Sequence, residues 1–130
     1  MAAEEHYDLV VVGAGPGGYM ASARAAQLGL KVACIEKEPH PGGICLQHGC
    51  IPSKALLDSS EYYLLAKERL AAHGVQVGEL TFDLTAMMAR KAEIVRGLAE
   101  SVSKLLSGNR VEIVRGTGRL AGKDTVQVTL

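Results

Sequence analysis

The sequence predicts an α/β fold built around a parallel β-sheet, with a helical pair and an antiparallel β-ribbon towards its C-terminal end. Three observations predict it. Tyr7 to Val12 and Leu30 to Ile35 are short apolar runs, the first rich in valine, and such runs read as strands covered on both faces of a parallel sheet. Between them lie Gly13-Ala14-Gly15-Pro16-Gly17-Gly18 and an alanine-rich stretch from Tyr19 to Leu28, closed by Gly29, which is a tight turn followed by a helix and its C-terminal cap. The spacing of apolar residues then becomes helical from Pro52 to Leu106 and strand-like again after Asn109, so helices and strands alternate.

Taken in order, residues 7 to 36 form a βαβ unit of about the usual 30 residues, whose right-handed crossover sets its two strands parallel. Pro39 to Gly49 is too rich in proline and glycine for a regular element. From Pro52, the residues Ala55, Leu56, Leu57, Tyr62, Tyr63, Leu64, Leu65 and Leu70 describe a helix to about Ala72, ended by His73-Gly74. Val75, Val77 and Leu80 fit a short strand or a loop. A longer helix carries Leu84, Met87, Met88, Val95, Leu98, Val102, Leu105 and Leu106 on one face, interrupted only by Lys91 and stopped at Gly108-Asn109. Strands follow at Val111 to Val114 and Thr125 to Thr129, with turn residues Gly122-Lys123-Asp124 between them. The sequence has neither internal repeats nor low-complexity tracts.

Composition bounds the function. The 130 residues include 48% apolar side chains, enough for one domain with a real core. Fourteen basic and 14 acidic side chains balance to zero, which argues against nucleic acid as partner, because that recognition runs on clustered Lys and Arg. No apolar run approaches the roughly 20 residues that span a bilayer, and the start, MAAEEHYD, is acidic where a secretory signal is basic. The expectation is a soluble, cytoplasmic protein with no membrane partner. Three cysteines are too few for a secreted disulfide scaffold, so any disulfide here belongs to chemistry.

Gly13, Gly15 and Gly18 fit the G-x-G-x-x-G fingerprint, in the strand-to-helix context that gives the motif meaning. Gly13 permits the turn, Gly15 lets a pyrophosphate approach the backbone, and Gly18 lets helix and strand pack closely. The pyrophosphate then rests on the helix N-terminus, where unpaired N–H groups favour an anion. Glu36 ends the second strand about 20 residues on, placed to accept from an adenosine ribose and to repel a 2′-phosphate. The fingerprint alone does not separate NAD from FAD, and the competing reading is a glycine-rich turn without a ligand.

Cys45 and Cys50 lie in GGICLQHGCIPSK. At that offset a regular helix would hold them about 7.5 Å apart along its axis, too far for a disulfide, so a bond between them needs an irregular turn. Gly49 supplies the freedom, and Pro52 is tolerable in the first turn of a following helix. So short a loop gives only about 2 kcal/mol of stabilisation, whereas thiols near a helix N-terminus are reactive. Two other readings stay open: a metal site of Cys45, His48 and Cys50, which lacks the fourth ligand of a structural zinc site, and a pair of ordinary buried thiols. Cys34, inside the second strand, reads as an inert core residue.

The run YDLVVVGAGPGGYMASARAAQLGLKVACIEKE followed by GGICLQHGCIPSKALL resembles the N-terminal part of the dihydrolipoamide dehydrogenase family of flavoprotein disulfide oxidoreductases. The resemblance implies that residues 1–130 are the N-terminal part of an FAD-binding domain of Rossmann type, with the family's NAD and dimerisation domains absent. It implies FAD held by Gly13, Gly15, Gly18, Glu36, Lys37, Gly43, Cys45, Lys54 and Gly118, with NAD as co-substrate and no metal. Cys45 is then the interchange thiol that forms a mixed disulfide with a dihydrolipoyl substrate, and Cys50 the thiolate against the flavin. Lys54 corresponds to the family lysine beside the flavin nitrogen, and Gly118 to the glycine whose backbone nears the adenine. Without the resemblance, Lys54 is a solvated helix residue and Gly118 a strand kink.

The implied partners are lipoyl-bearing proteins of 2-oxo acid dehydrogenase or glycine cleavage complexes, and a second copy in the intact homodimer. Alternatives are a mercuric or glutathione reductase, or a redox-silent dinucleotide-binding module. Ile44 stands where the family usually has threonine, which removes a hydroxyl contact to the pyrophosphate. Gln47-His48 replaces the commoner Asn-Val and puts an imidazole between the two sulfurs. Because the family's acid–base pair lies in the absent part, the chain alone is expected to be inactive.

Overall fold

The computed structural model describes residues 4–130; Met1 to Ala3, where the acidic start begins, lie outside the described residues. Strand β1 (Leu9–Val12), helix α1 (Pro16–Gln27) and strand β2 (Val32–Glu36) form the expected βαβ unit. They are followed by α2 (Gly43–Gln47), α3 (Cys50–Leu64), a π-helical turn (Leu65–Arg69), a 3-10 turn (Leu70–His73), α4 (Leu84–Gly108), β3 (Glu112–Arg115), β4 (Thr117–Leu120) and β5 (Val126–Thr129).

β1, β2 and β3 make a parallel sheet in that order, Leu9 opposite Val32 and Ala33 opposite Glu112. Only β2 meets the expectation of burial on both faces: all five of its residues are buried. β1 does not: it lies at the edge of the sheet, its first three residues are half-buried, and its last, Val12, is 52% exposed. It also begins at Leu9 rather than Tyr7.

The C-terminal strands pair differently from expectation. Residues 112–115 join the parallel sheet, and the ribbon is β4 against β5, with Thr117 opposite Thr129. Thr117-Gly118-Arg119-Leu120 has no apolar alternation to betray a strand. Gly116, at φ +135, turns the chain off the sheet into it.

The Pro39–Gly49 stretch, expected to be irregular throughout, contains the five-residue helix α2. α3 starts two residues before Pro52, which therefore falls in its first turn, where a missing N–H costs nothing. It leaves α geometry after Leu64 and unwinds through the π and 3-10 turns to Gly74, at φ +76, and residues 75–80 take the loop alternative. α4 is capped by Asp83, whose Oδ1 accepts from Ala86 N–H at 3.1 Å. Of its apolar face only the C-terminal half is buried, through Ala99, Val102 and Leu106, while Leu84 and Met88 stay exposed. The core joins these to Ala14, Ala25, Val32, Cys34, Leu46 and Val111. Ala23 and Ala25 are among the buried residues of α1, and the short loop out of β1 puts the N-terminus of α1 at the C-terminal edge of the strands.

Candidate functional site

The site is built where β1 and β2 end. Gly13 leaves β1 at φ +96 and donates its N–H to Ile35 O at 2.7 Å, tying the loop to β2. Gly15 is the N-cap of α1 and Pro16 its first residue, with no acidic side chain in the first turn. The open N–H groups there are free to meet an anion. Gly18 is fixed by close approach: a Cβ on it would be driven into the carbonyl oxygen of Gly13 and would stand 3.4 Å from Val11 Cγ1. A Cβ on Gly43, which sits at φ +67, would lie 2.8 Å from Gly15 Cα. The Gly42-Gly43 segment is thus seated on the phosphate loop, held further by Gly42 N–H donating to Ala14 O at 2.8 Å.

Glu36 ends β2 and is buried, its carboxylate accepting from Ala14 N–H at 2.7 Å and from Glu38 N–H at 2.9 Å. Lys37, the next residue, is exposed beyond the strand end. Gly118 on β4 crosses the same edge, and a Cβ there would meet Val12 Cγ1 at 3.1 Å and Ile35 Cδ1 at 3.2 Å. Gly118 thus lets the backbone of β4 lie directly on the Val12 and Ile35 side chains at the ends of β1 and β2.

Cys45, in α2, and Cys50, the first residue of α3, form a disulfide with a Cα separation of 4.8 Å. The irregular turn it needs is His48-Gly49. Gly49 is required by contact, since a Cβ would stand 3.1 Å from Ile44 O and 3.3 Å from Cys45 Cα. Cys50 is exposed and Cys45 half-buried. Lys54 is exposed one turn beyond Cys50, on the same side of α3, and His48 and Ile44 are exposed as well. Cys34 is buried and free, and burial pushes its thiol pKa up, against a smaller opposite pull from the Ser22 hydroxyl. Among the described residues no group of three or more His, Cys, Asp or Glu is placed to hold a metal ion.

Two features were not foreseen. A cleft of about 400 Å³ opens beside the disulfide, lined by Cys45, Leu46, Tyr19, Ile51, Val102 and Leu105 among others. Its residues come from α1, α2, α3 and α4, so no local sequence signal could have found it. The Ala14 N–H bond to Glu36 is equally hidden, because the two residues meet only once β1 and β2 have paired.

The glycine loop, the buried acidic strand end and the neighbouring disulfide define a class. The chain belongs to the pyridine nucleotide-disulphide oxidoreductase family, which it matches over residues 7–129. Within that family it is 50% identical over 121 residues to mitochondrial dihydrolipoyl dehydrogenase 2 of Arabidopsis thaliana, covering 93% of this chain and 24% of the relative. It is 48% identical to dihydrolipoyl dehydrogenase of Manduca sexta over the same shares. The chain thus spans about a quarter of the length of these relatives. Among solved structures, the HOCl-induced flavoprotein disulfide reductase RclA from Escherichia coli, as its Cu(II) complex, shares the fold at a TM-score of 0.79 and 22% identity. That match covers 98% of this chain and 25% of the other. The names of relatives correct one expectation: several are mitochondrial proteins, so the cytoplasmic assignment is withdrawn. No helix among the described residues is long and apolar enough to cross a membrane.

Proposed function

We propose that this chain is the part of an FAD-dependent dihydrolipoyl dehydrogenase that grips the nucleotide and carries the redox disulfide. The observation that carries the reading is the Cys45–Cys50 disulfide, closed across the gap between α2 and α3 and next to the phosphate loop. The residues fit the cofactor. Gly43 packs on Gly15 with no room for a Cβ, so the phosphate loop stays bare of side chains there, the first turn of α1 offers N–H groups to a pyrophosphate, and Glu36 ends β2 where a ribose would lie. Gly13, Gly18, Lys37, Lys54 and Gly118 complete the proposed set. FAD, when bound, supplies the two-electron chemistry that passes reducing equivalents on to NAD.

The chain's own part is thiol–disulfide exchange. A substrate thiolate attacks Cys45 Sγ, the Cys45–Cys50 bond breaks, and Cys50 leaves as a thiolate. The second substrate thiol then attacks the substrate sulfur of the mixed disulfide and releases Cys45, so the substrate closes its own disulfide and the pair gains two electrons. Cys50 suits the leaving role because it opens α3, where the helix dipole stabilises an anion, with the Lys54 ammonium one turn on. Cys45 suits the attacked role because it borders the apolar cleft, which matches the hydrocarbon part of a lipoyl dithiol. Identity of 47–50% to proteins named dihydrolipoyl dehydrogenase favours the lipoyl dithiol over mercuric ion or glutathione. The partners on this reading are lipoyl-bearing proteins of 2-oxo acid dehydrogenase or glycine cleavage complexes, together with a second copy in the intact protein.

The test is the visible spectrum of the chain after incubation with FAD, before and after a small dithiol. A bound-flavin spectrum that gains a long-wavelength band, kept in Cys45→Ser and lost in Cys50→Ser, supports the assignment of both thiols. Cysteines that resist reduction in a flavin-loaded chain overturn it.

A further inference from the structure

We propose that Glu36 is a positioning residue for the disulfide as well as a ribose acceptor, because one chain of hydrogen bonds runs from its carboxylate through the phosphate loop to the helix that bears Cys45. The ribose half of this statement rests on the function proposed above; the linkage does not. Glu36 is 6% exposed and is the single buried charged side chain among the described residues. A carboxylate survives such burial only when hydrogen-bonded. Its Oε2 accepts from Ala14 N–H at 2.7 Å and its Oε1 from Glu38 N–H at 2.9 Å.

Ala14 is fully buried in the middle of the phosphate loop, and its peptide is held at both ends. Its N–H is on Glu36, and its carbonyl takes the N–H of Gly42 at 2.8 Å. Gly42 leads directly into Gly43, which packs on Gly15 and opens α2, and Cys45 follows in the first turn. The far side of Glu36 is anchored too, its own carbonyl accepting from Gly116 N–H at 3.0 Å. A carboxylate offers about four lone-pair positions. Two are used by these N–H groups, which leaves acceptor capacity for the two hydroxyls of a ribose without releasing the loop. The ends of the site are therefore tied together, and a change at Glu36 reaches Cys45 through peptide groups rather than through side-chain packing.

The test compares the wild-type chain with Glu36→Gln, which keeps the size of the side chain but replaces one acceptor oxygen by a donor. Amide hydrogen exchange at Ala14 and Gly42 is expected to quicken at least tenfold while Ala33 and Cys34, in the sheet, keep wild-type protection. In a fixed thiol–disulfide buffer, the ratio of reduced to oxidised Cys45–Cys50 is expected to rise at least threefold, a change that general loosening elsewhere would not give alongside an intact sheet. Unchanged exchange at both amides, or an unchanged redox ratio, overturns the proposal. If Glu36→Gln does not fold, Glu36→Asp is read in the same way, because its shorter side chain cannot span both N–H groups. In the wild type, saturating ADP is expected to slow exchange at Gly42, and ADP that binds without doing so also overturns the linkage. Failure of ADP to bind counts instead against the ribose role, and the exchange of the Glu36 variants then decides the linkage alone.

Discussion

The strand-end site and the outer half of the α3–α4 hairpin are held together by different means. At the site, backbone touches backbone: Gly18 on Gly13, Gly43 on Gly15, Gly49 on Ile44 and Cys45. In the hairpin, side chains bridge the helices. Arg90 donates to Ala55 O at 3.0 Å, to Ser59 Oγ at 3.2 Å and to Asp58 Oδ2 at 2.7 Å, and the rings of Tyr63 and Phe82 meet edge to face. Backbone contact fixes position to fractions of an ångström but tolerates no added atom. Side-chain bridges tolerate substitution and leave the outer end open, with Tyr62, Phe82 and Leu84 exposed. The lesson is that geometric precision is concentrated where a cofactor and a disulfide must share space.

Substitutions separate the two modes. Gly18→Ala forces a Cβ into a main-chain carbonyl that cannot rotate away, so it should cost upwards of about 3 kcal/mol in denaturant unfolding and abolish nucleotide binding. A cost below about 1 kcal/mol would mean the loop yields, and the contrast with the hairpin would fall. Cys50→Ser opens a short loop and should cost about 2 kcal/mol, read as a shift in the unfolding midpoint between oxidised wild type and variant. Arg90→Met removes hydrogen bonds that are half open to water, which limits the loss to about 1 kcal/mol. Gly97→Ala, on α4 with nothing within 4 Å of the added Cβ, should stabilise by about 0.5–1 kcal/mol. The same chemical change thus carries opposite signs in the two regions.

Cys34 gives a pH test of the core. Its raised pKa means that the folded state keeps the thiol protonated where the unfolded chain has begun to lose its proton. Its contribution is complete below the ordinary thiol value of about 8.5 and declines as pH rises beyond it. Native Cys34 should resist alkylation at pH 8 while the reduced Cys45 and Cys50 react, as peptide mass spectrometry would record.

Much of this was legible because the demands are local. The G-x-G-x-x-G spacing, the capping asparagine and glycines, and the apolar period of α4 each act within a few residues. Strand rank was not legible: Tyr7–Val12 looks as buried as Leu30–Ile35, yet β2 is central only because β3 joins it from far along the chain. Helix α2 is masked by the residues around it, Pro39, Pro41, Gly42 and Gly49, although it is Gly42 and Gly43 that let it sit on the phosphate loop. The half-open face of α4 was also unreadable, since periodicity reports which residues share a side and not how far along that side a neighbour extends. At the site the residue types could be read, but the bond from Ala14 to Glu36 and the cleft beside Cys45 depend on how distant segments meet.

The rank of β2 also sets a timetable. β1 and β2 are joined by a single crossover, so they can meet early in synthesis, but Ala33 waits for Glu112 before its second side is paired. Closing so long a loop is slow compared with forming local helices. During translation the strand that ends up buried along its whole length is left one-sided until β3 has emerged from the ribosome. That interval, rather than the finished fold, is where a nascent chain is most exposed to wrong pairing and where a chaperone would have most to do.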